Sequence, residues 1–189
     1  HASDRKSSLI SSKEIPIVMV ASSADPVRDG VAVSLARPGG NVTGLTYAEP
    51  DRFKKQLEIL KATVPRAERV AVLWDYDIAF YRRDWERPLG EAARLLGLTI
   101  QDPVQIATVE KLPQAFETMK RRQVDAFIVA SGSFMLAERE RVAELASESR
   151  LPGIAAFKEF PQAGLLMSYG PDLPDINRRA AGFVDRIVT

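Results

Sequence analysis

Glu68-Arg69-Val70-Ala71-Val72-Leu73-Trp74-Asp75-Tyr76-Asp77 contains an unbroken apolar run, Val70 to Leu73, that ends in a polar and aromatic cluster. The run is too short for a lone helix and rich in β-branched residues, which predicts a strand buried on both faces. Strands of that kind belong to parallel sheets covered by helices. In open α/β sheets of this type, ligands bind outside the carboxyl ends of the strands. Trp74 to Asp77 stands at such an end, so a site is expected where it faces the unit formed by the preceding sequence.

Downstream the same arrangement repeats. A helix is expected from about Phe80 to Leu96, with Pro88 inside it as a kink or late start and Gly97 as its stop. Leu98-Thr99-Ile100 opens the next strand, and Thr108 is placed to cap a helix running to about Arg122. Ala126–Ala130 reads as a third buried strand, Phe134–Ser149 as one helix, and Leu151–Ala156 and Leu165–Ser168 as two more strands. A final helix spans Leu173 to Val188. Strands alternating with helical stretches of a dozen or so residues are the pattern of βαβ units with right-handed crossovers. The prediction is a five-stranded, doubly wound, flavodoxin-like parallel sheet with Val70–Leu73 central in it.

Upstream, Ile15–Val20 and Asn41–Thr46 read as short strands. Asp25-Pro26 predicts a helix start carrying Val27, Val31 and Leu35, since an N-cap carboxylate followed by proline favours the first turn. Asp51–Thr63 is an amphipathic helix with Phe53, Leu57 and Leu60 on one stripe, ended by Pro65. It resembles a connector between lobes. The division expected is a partial lobe with its connector over 1–65, a complete α/β lobe over 66–170, and a helix returning toward the first lobe over 171–189.

Composition narrows the function classes. The chain has 189 residues, 46% hydrophobic and 27% charged, with net charge +1. That balance suits a folded globular protein and predicts no bulk attraction to nucleic acid. Cysteine is absent and the single histidine is His1, which argues against thiolate chemistry, His-based catalysis and His-ligated metal. No Gly-rich phosphate loop or GxSxG motif is present, so no catalytic residue, metal or cofactor is assigned. The start, His1 to Ser8, is polar and carries no signal-peptide core.

Two long stretches carry a family pattern. One is Ile15-Pro16-Ile17-Val18, Asp25-Pro26-Val27 and Ser34-Leu35-Ala36-Arg37-Pro38-Gly39-Gly40-Asn41-Val42-Thr43-Gly44. The other is Leu57-Glu58-Ile59-Leu60-Lys61, Val64-Pro65, Arg69 to Trp74, Leu151-Pro152, Phe160 and Met167-Ser168-Tyr169-Gly170-Pro171. Together they resemble the ABC-transporter substrate-binding proteins related to the tryptophan and aromatic amino-acid binders. The resemblance implies a type I periplasmic-binding-protein fold, with a complete lobe, part of a second similar lobe, and a small molecule such as an amino acid held between lobes by hinge closure. It further implies delivery to an ABC permease and a periplasmic location. By the same comparison the chain looks like a piece of a longer protein. Strands left without their usual partners then predict a dimer or larger assembly through the region before Pro65. At two ligand-edge loops the chain departs from the family's usual turns, carrying Trp74-Asp75-Tyr76-Asp77 and Ser131-Gly132-Ser133.

The ligand-binding residues expected are Ser22, Ser23, Asp25, Asp75, Tyr76, Ser131, Ser133, Phe157 and Tyr169. Helix amino termini offer N–H groups to a ligand carboxylate, and carboxylates accept from an ammonium. Several residues here have a plainer alternative: Asp25 and Ser133 cap helices, Asp75 and the nearby Asp77 form a solvated turn, and Phe157, like Trp74, belongs to the core. Other function classes compatible with the architecture are the effector-sensing domain of a regulator and a flavodoxin-like enzyme. Neither brings its expected companion motif: no helix-turn-helix pattern, basic stripe or phosphate loop is present.

Overall fold

A computed structural model describes residues 15–22, 25–47, 52–75, 82–130 and 132–189. The chain divides into two compact units, 1–49 with 171–189 and 50–170.

In the smaller unit, β1 (Ile17–Ser22) pairs in parallel with β2 (Val42–Thr46), Ile17 opposite Val42 and Met19 opposite Gly44. The chain's last helix, Leu173–Val188, packs on both strands, with Val42, Ile176 and Ala180 buried. The helix expected after Asp25 does not form. Asp25 Oδ1 does accept from the N–H groups of Val27 (3.0 Å) and Arg28 (3.1 Å), as a cap would. One turn later Gly30 takes φ +70°, and Val31 N–H returns to the Pro26 carbonyl at 2.8 Å. A glycine in the left-handed region with that six-to-one bond is a helix terminator, placed here after a single turn. Val27 and Leu35 are exposed, so the apolar spacing read as a helix face meets no core.

In the larger unit, α1 (Arg52–Thr63) precedes β3 (Arg69–Asp75), followed by α2 (Arg82–Leu95), β4 (Thr99–Ile100) and β5 (Val104–Ile106). A short 3-10 turn leads into α3 (Leu112–Arg121), then β6 (Ala126–Ala130), α4 (Ser133–Ala137) and α5 (Arg139–Glu148). β7 (Gly153–Ala155), α6 (Glu159–Gln162) and β8 (Met167–Ser168) complete it, and the helix 173–188 of the smaller unit becomes α7. Every strand pair is parallel, in the order β4-β3-β6-β7-β8, and β5 also pairs with β3.

β4 meets the start of β3 and β5 meets its end, so 99–106 occupies one edge position interrupted around Pro103. Proline has no N–H to give a ladder, which accounts for the break. The sheet therefore has five positions as expected, with β6 rather than β3 in the middle. Val70 to Leu73 are nonetheless fully buried, because β3 is flanked on both sides.

Alternation along β3 builds two core layers. Val70, Val72 and Trp74 pack with Leu57 and Leu60 of α1 and Leu89 and Ala93 of α2. On the other face Phe127 of β6 meets Phe116 of α3 edge-to-face, centroids 5.4 Å apart. α1, expected as a connector, thus lays its apolar stripe into the larger unit's core. The single helix expected over 134–149 is two, bent at Glu138, whose N–H still reaches the Phe134 carbonyl at 3.0 Å.

Candidate functional site

A parallel sheet sends the carboxyl ends of its strands to one edge. Here that edge collects Asp75 from β3, Gly132-Ser133 after β6, Ala156-Phe157 after β7 and Tyr169-Gly170 after β8. Asp75 is only 2% exposed, a buried carboxylate at a strand end. Its neighbour is Gly132, the residue before α4: a Cβ built there would lie 2.5 Å from Asp75 Oδ2. Asp75 therefore occupies the space a side chain at 132 would need. It also stands beside the residue that precedes α4.

Ser133 is exposed as the first residue of α4, and Gly132 makes no side-chain cap. Tyr169 is 39% exposed and presents an aromatic side chain at the same edge. Phe157 is buried, as is Trp74, so in this structure both are core residues rather than open walls. Asp25 caps the turn that follows it in the smaller unit. Ser22 ends β1, though its side chain falls outside the described residues, as do Ser23, Tyr76 and Ser131 entirely.

One residue of this edge escaped the sequence reading. Gln56, on α1, is fully buried, and its Nε2 donates to the carbonyls of Ala155 (3.1 Å) and Tyr169 (2.9 Å). The available signal was a polar side chain on the apolar stripe Phe53-Gln56-Leu57-Leu60. A buried amide needs partners, and the ends of β7 and β8 supply them.

The opposite, amino edge holds a cavity of about 330 Å³ lined by Val64, Phe116 and Leu151 with Arg66, Lys120 and Arg150 around it. α1, α3 and α5 end beside it, and cations near helix carboxyl termini answer the dipole. Asp125 lies there too. Burial alone would raise its pKa, but the N–H groups of Arg69 (2.7 Å) and Glu68 (3.0 Å) and the Arg69 guanidinium outweigh burial and hold it below the ordinary carboxylate value. These groups serve strand and helix ends. Among the described residues no cluster of His, Cys, Asp or Glu is placed to hold a metal ion, and no helix is long and apolar enough to cross a membrane.

The chain is 27% identical over 169 residues to a tyrosine-binding protein of Clostridioides difficile (strain R20291), covering 89% of this chain and 47% of that protein. Among solved structures it resembles an ABC domain from Streptococcus pneumoniae in complex with L-Trp, with TM-score 0.80 and 21% identity. That match covers 99% of this chain and 61% of the other. A conserved domain protein from Vibrio cholerae gives TM-score 0.80 at 22% identity, with the same 99% and 61% coverage. The chain thus spans about half the length of the curated relative and under two thirds of these structures. At such identities the likeness establishes the fold, which is the type I periplasmic-binding-protein fold expected from the sequence. The family model described as ABC transporter substrate binding protein matches residues 2–189, and the chain belongs to that family.

Proposed function

We propose that this chain is the ligand-binding part of a receptor that takes up an amino acid outside the cytoplasm and presents it to an ABC permease. The observation that carries the reading is the buried Asp75 carboxylate at the carboxyl edge of the larger unit's sheet. An α-ammonium is the natural partner of such a group, since a charge-assisted hydrogen bond is stronger than a neutral one. The relatives named for tyrosine and L-Trp support an amino acid as the class of ligand. In this reading Asp75 takes the ammonium, Ser131 and Ser133 at the start of α4 take the carboxylate, and Tyr76 and Tyr169 lie along the side chain. Phe157 backs the edge from within. Ser22, Ser23 and Asp25 of the smaller unit complete the contacts when the receptor closes. A ligand that touched one unit alone would give no reason to close, so contacts from both are required. The role is binding and release, with no bond made or broken.

A thermal-shift screen against amino acids, sugars and nucleosides tests this. An amino acid at a hundredfold excess over its Kd should stabilise the protein by about 2.7 kcal/mol and raise Tm accordingly. A shift with a sugar or nucleoside and none with any amino acid would overturn the reading.

A further inference from the structure

Gln56 does more than satisfy itself. Ala155 ends β7 and Tyr169 follows the end of β8, and the Tyr169 N–H donates to the Ala155 carbonyl at 2.9 Å as the rung following the β7–β8 pairing. The Gln56 Nε2 adds a bond to that same Ala155 oxygen and another to the Tyr169 oxygen. Both partners are backbone carbonyls, which only accept, so the orientation of the amide is unambiguous. Its Oε1 is buried and has no hydrogen-bond partner among the described residues. The side chain thus keeps its place through its donors alone.

The location gives this arrangement a consequence. The chain passes between the two units at 49–50 and again at 170–171. Gln56 lies on the first helix after one passage, and Tyr169 is the last residue but one before the other. Gly170, between Tyr169 and the passage, packs so closely that a Cβ there would collide with the Ala156 carbonyl oxygen. One buried amide therefore fastens the incoming helix to the outgoing strand within the larger unit.

We propose that Gln56 is a positioning residue: it ties the two inter-unit passages into one block, so that motion between units is taken up beyond this block and Tyr169 keeps its place at the ligand edge. This rests on the receptor reading above for its functional consequence, while the clamp itself is a property of the larger unit alone.

The experiment is hydrogen exchange on Gln56→Met and Gln56→Glu, with and without L-tyrosine or L-tryptophan. Met matches the volume and removes both donors. Amide exchange at Tyr169 and Gly170 should quicken about tenfold, corresponding to two net hydrogen bonds, while the β6 amides stay protected. Glu restores a single donor only when protonated, so the protection of these two amides, taken relative to the intrinsic exchange rate at each pH, should rise toward wild type as pH falls, a rescue that a filler of space would not show. Unchanged exchange at Tyr169 and Gly170 in the Met variant, or protection in the Glu variant that does not change with pH, would overturn the clamp. So would unfolding of both variants, which would make Gln56 a residue of general stability. Absence of amino-acid binding by the wild type would overturn the receptor reading and leave the apo exchange result to decide the clamp.

Discussion

Asp75 and Gly132 share one space: the carboxylate of the first stands where a side chain of the second would begin, 2.5 Å from a Cβ at 132. Gly132 has φ −103° and ψ −176°, extended backbone that any residue adopts, so the need for glycine here is steric. Gly132→Ala should leave the fold intact and push Asp75 aside. Ligand affinity should fall about tenfold, as for loss of one charged hydrogen bond. Calorimetry on the variant checks it, and an unchanged Kd would mean that Asp75 adjusts without consequence.

Tyr169 offers a different test because its main chain and side chain have separate roles. The backbone is held by Ala155 and Gln56, and the residue is 39% exposed. Tyr169→Ala should therefore alter stability by about 0.5 kcal/mol or less, while reducing affinity for an aromatic ligand by about 0.5–1.5 kcal/mol. Paired denaturation and binding curves separate the two effects.

Asp125 predicts an acid dependence. Its pKa is held below the ordinary 3.8, so its contribution is fully present above that value and is lost as pH falls through the lower folded-state pKa. Asp125→Asn should destabilise by about 1–2 kcal/mol at pH 7, because a neutral amide is a weaker acceptor for the Glu68 and Arg69 N–H groups. The gap from wild type should narrow below about pH 4. Urea melts across pH 2–7 give the answer, and a constant gap would place the stabilisation elsewhere.

Self-association follows from the smaller unit. Among the described residues β1 pairs only with β2, and Val20, Val33, Leu35 and Val188 are exposed. An open strand edge beside apolar surface favours pairing between chains. Light scattering on the 189-residue chain should show dimers or larger species at micromolar concentration; a clean monomer would contradict this.

What the sequence disclosed follows from the range of the forces involved. The Val70–Leu73 run and the alternation after it announce buried parallel strands, because burial on both faces leaves a local mark. β5 left little mark: it is three residues beside Pro103, held by the end of β3 rather than by its own pattern. The helix expected after Asp25 was stopped by Gly30 and by the lack of a core for Val27 and Leu35, and only the second of these depends on tertiary structure. At the sheet's carboxyl edge, the place of Asp75 at a strand end was legible. Gln56 was not, since its partners lie 99 and 113 residues away along the chain. Phe157, read either as a wall or as a core residue, is buried.

The central claim is that Asp75 receives the ligand's ammonium, and titration calorimetry on three proteins tests it most directly. The ligand is the amino acid identified by thermal shift, and the proteins are wild type, Asp75→Ala and Arg121→Ala. Arg121 is exposed on α3, where its guanidinium donates to Thr118 Oγ1 at 3.1 Å. Loss of a charged hydrogen bond worth about 1.5–3 kcal/mol should weaken binding to Asp75→Ala tenfold or more, with Arg121→Ala unchanged. Equal affinities for wild type and Asp75→Ala would contradict the account, and a large loss at Arg121 would show that the ligand sits at another edge of the sheet.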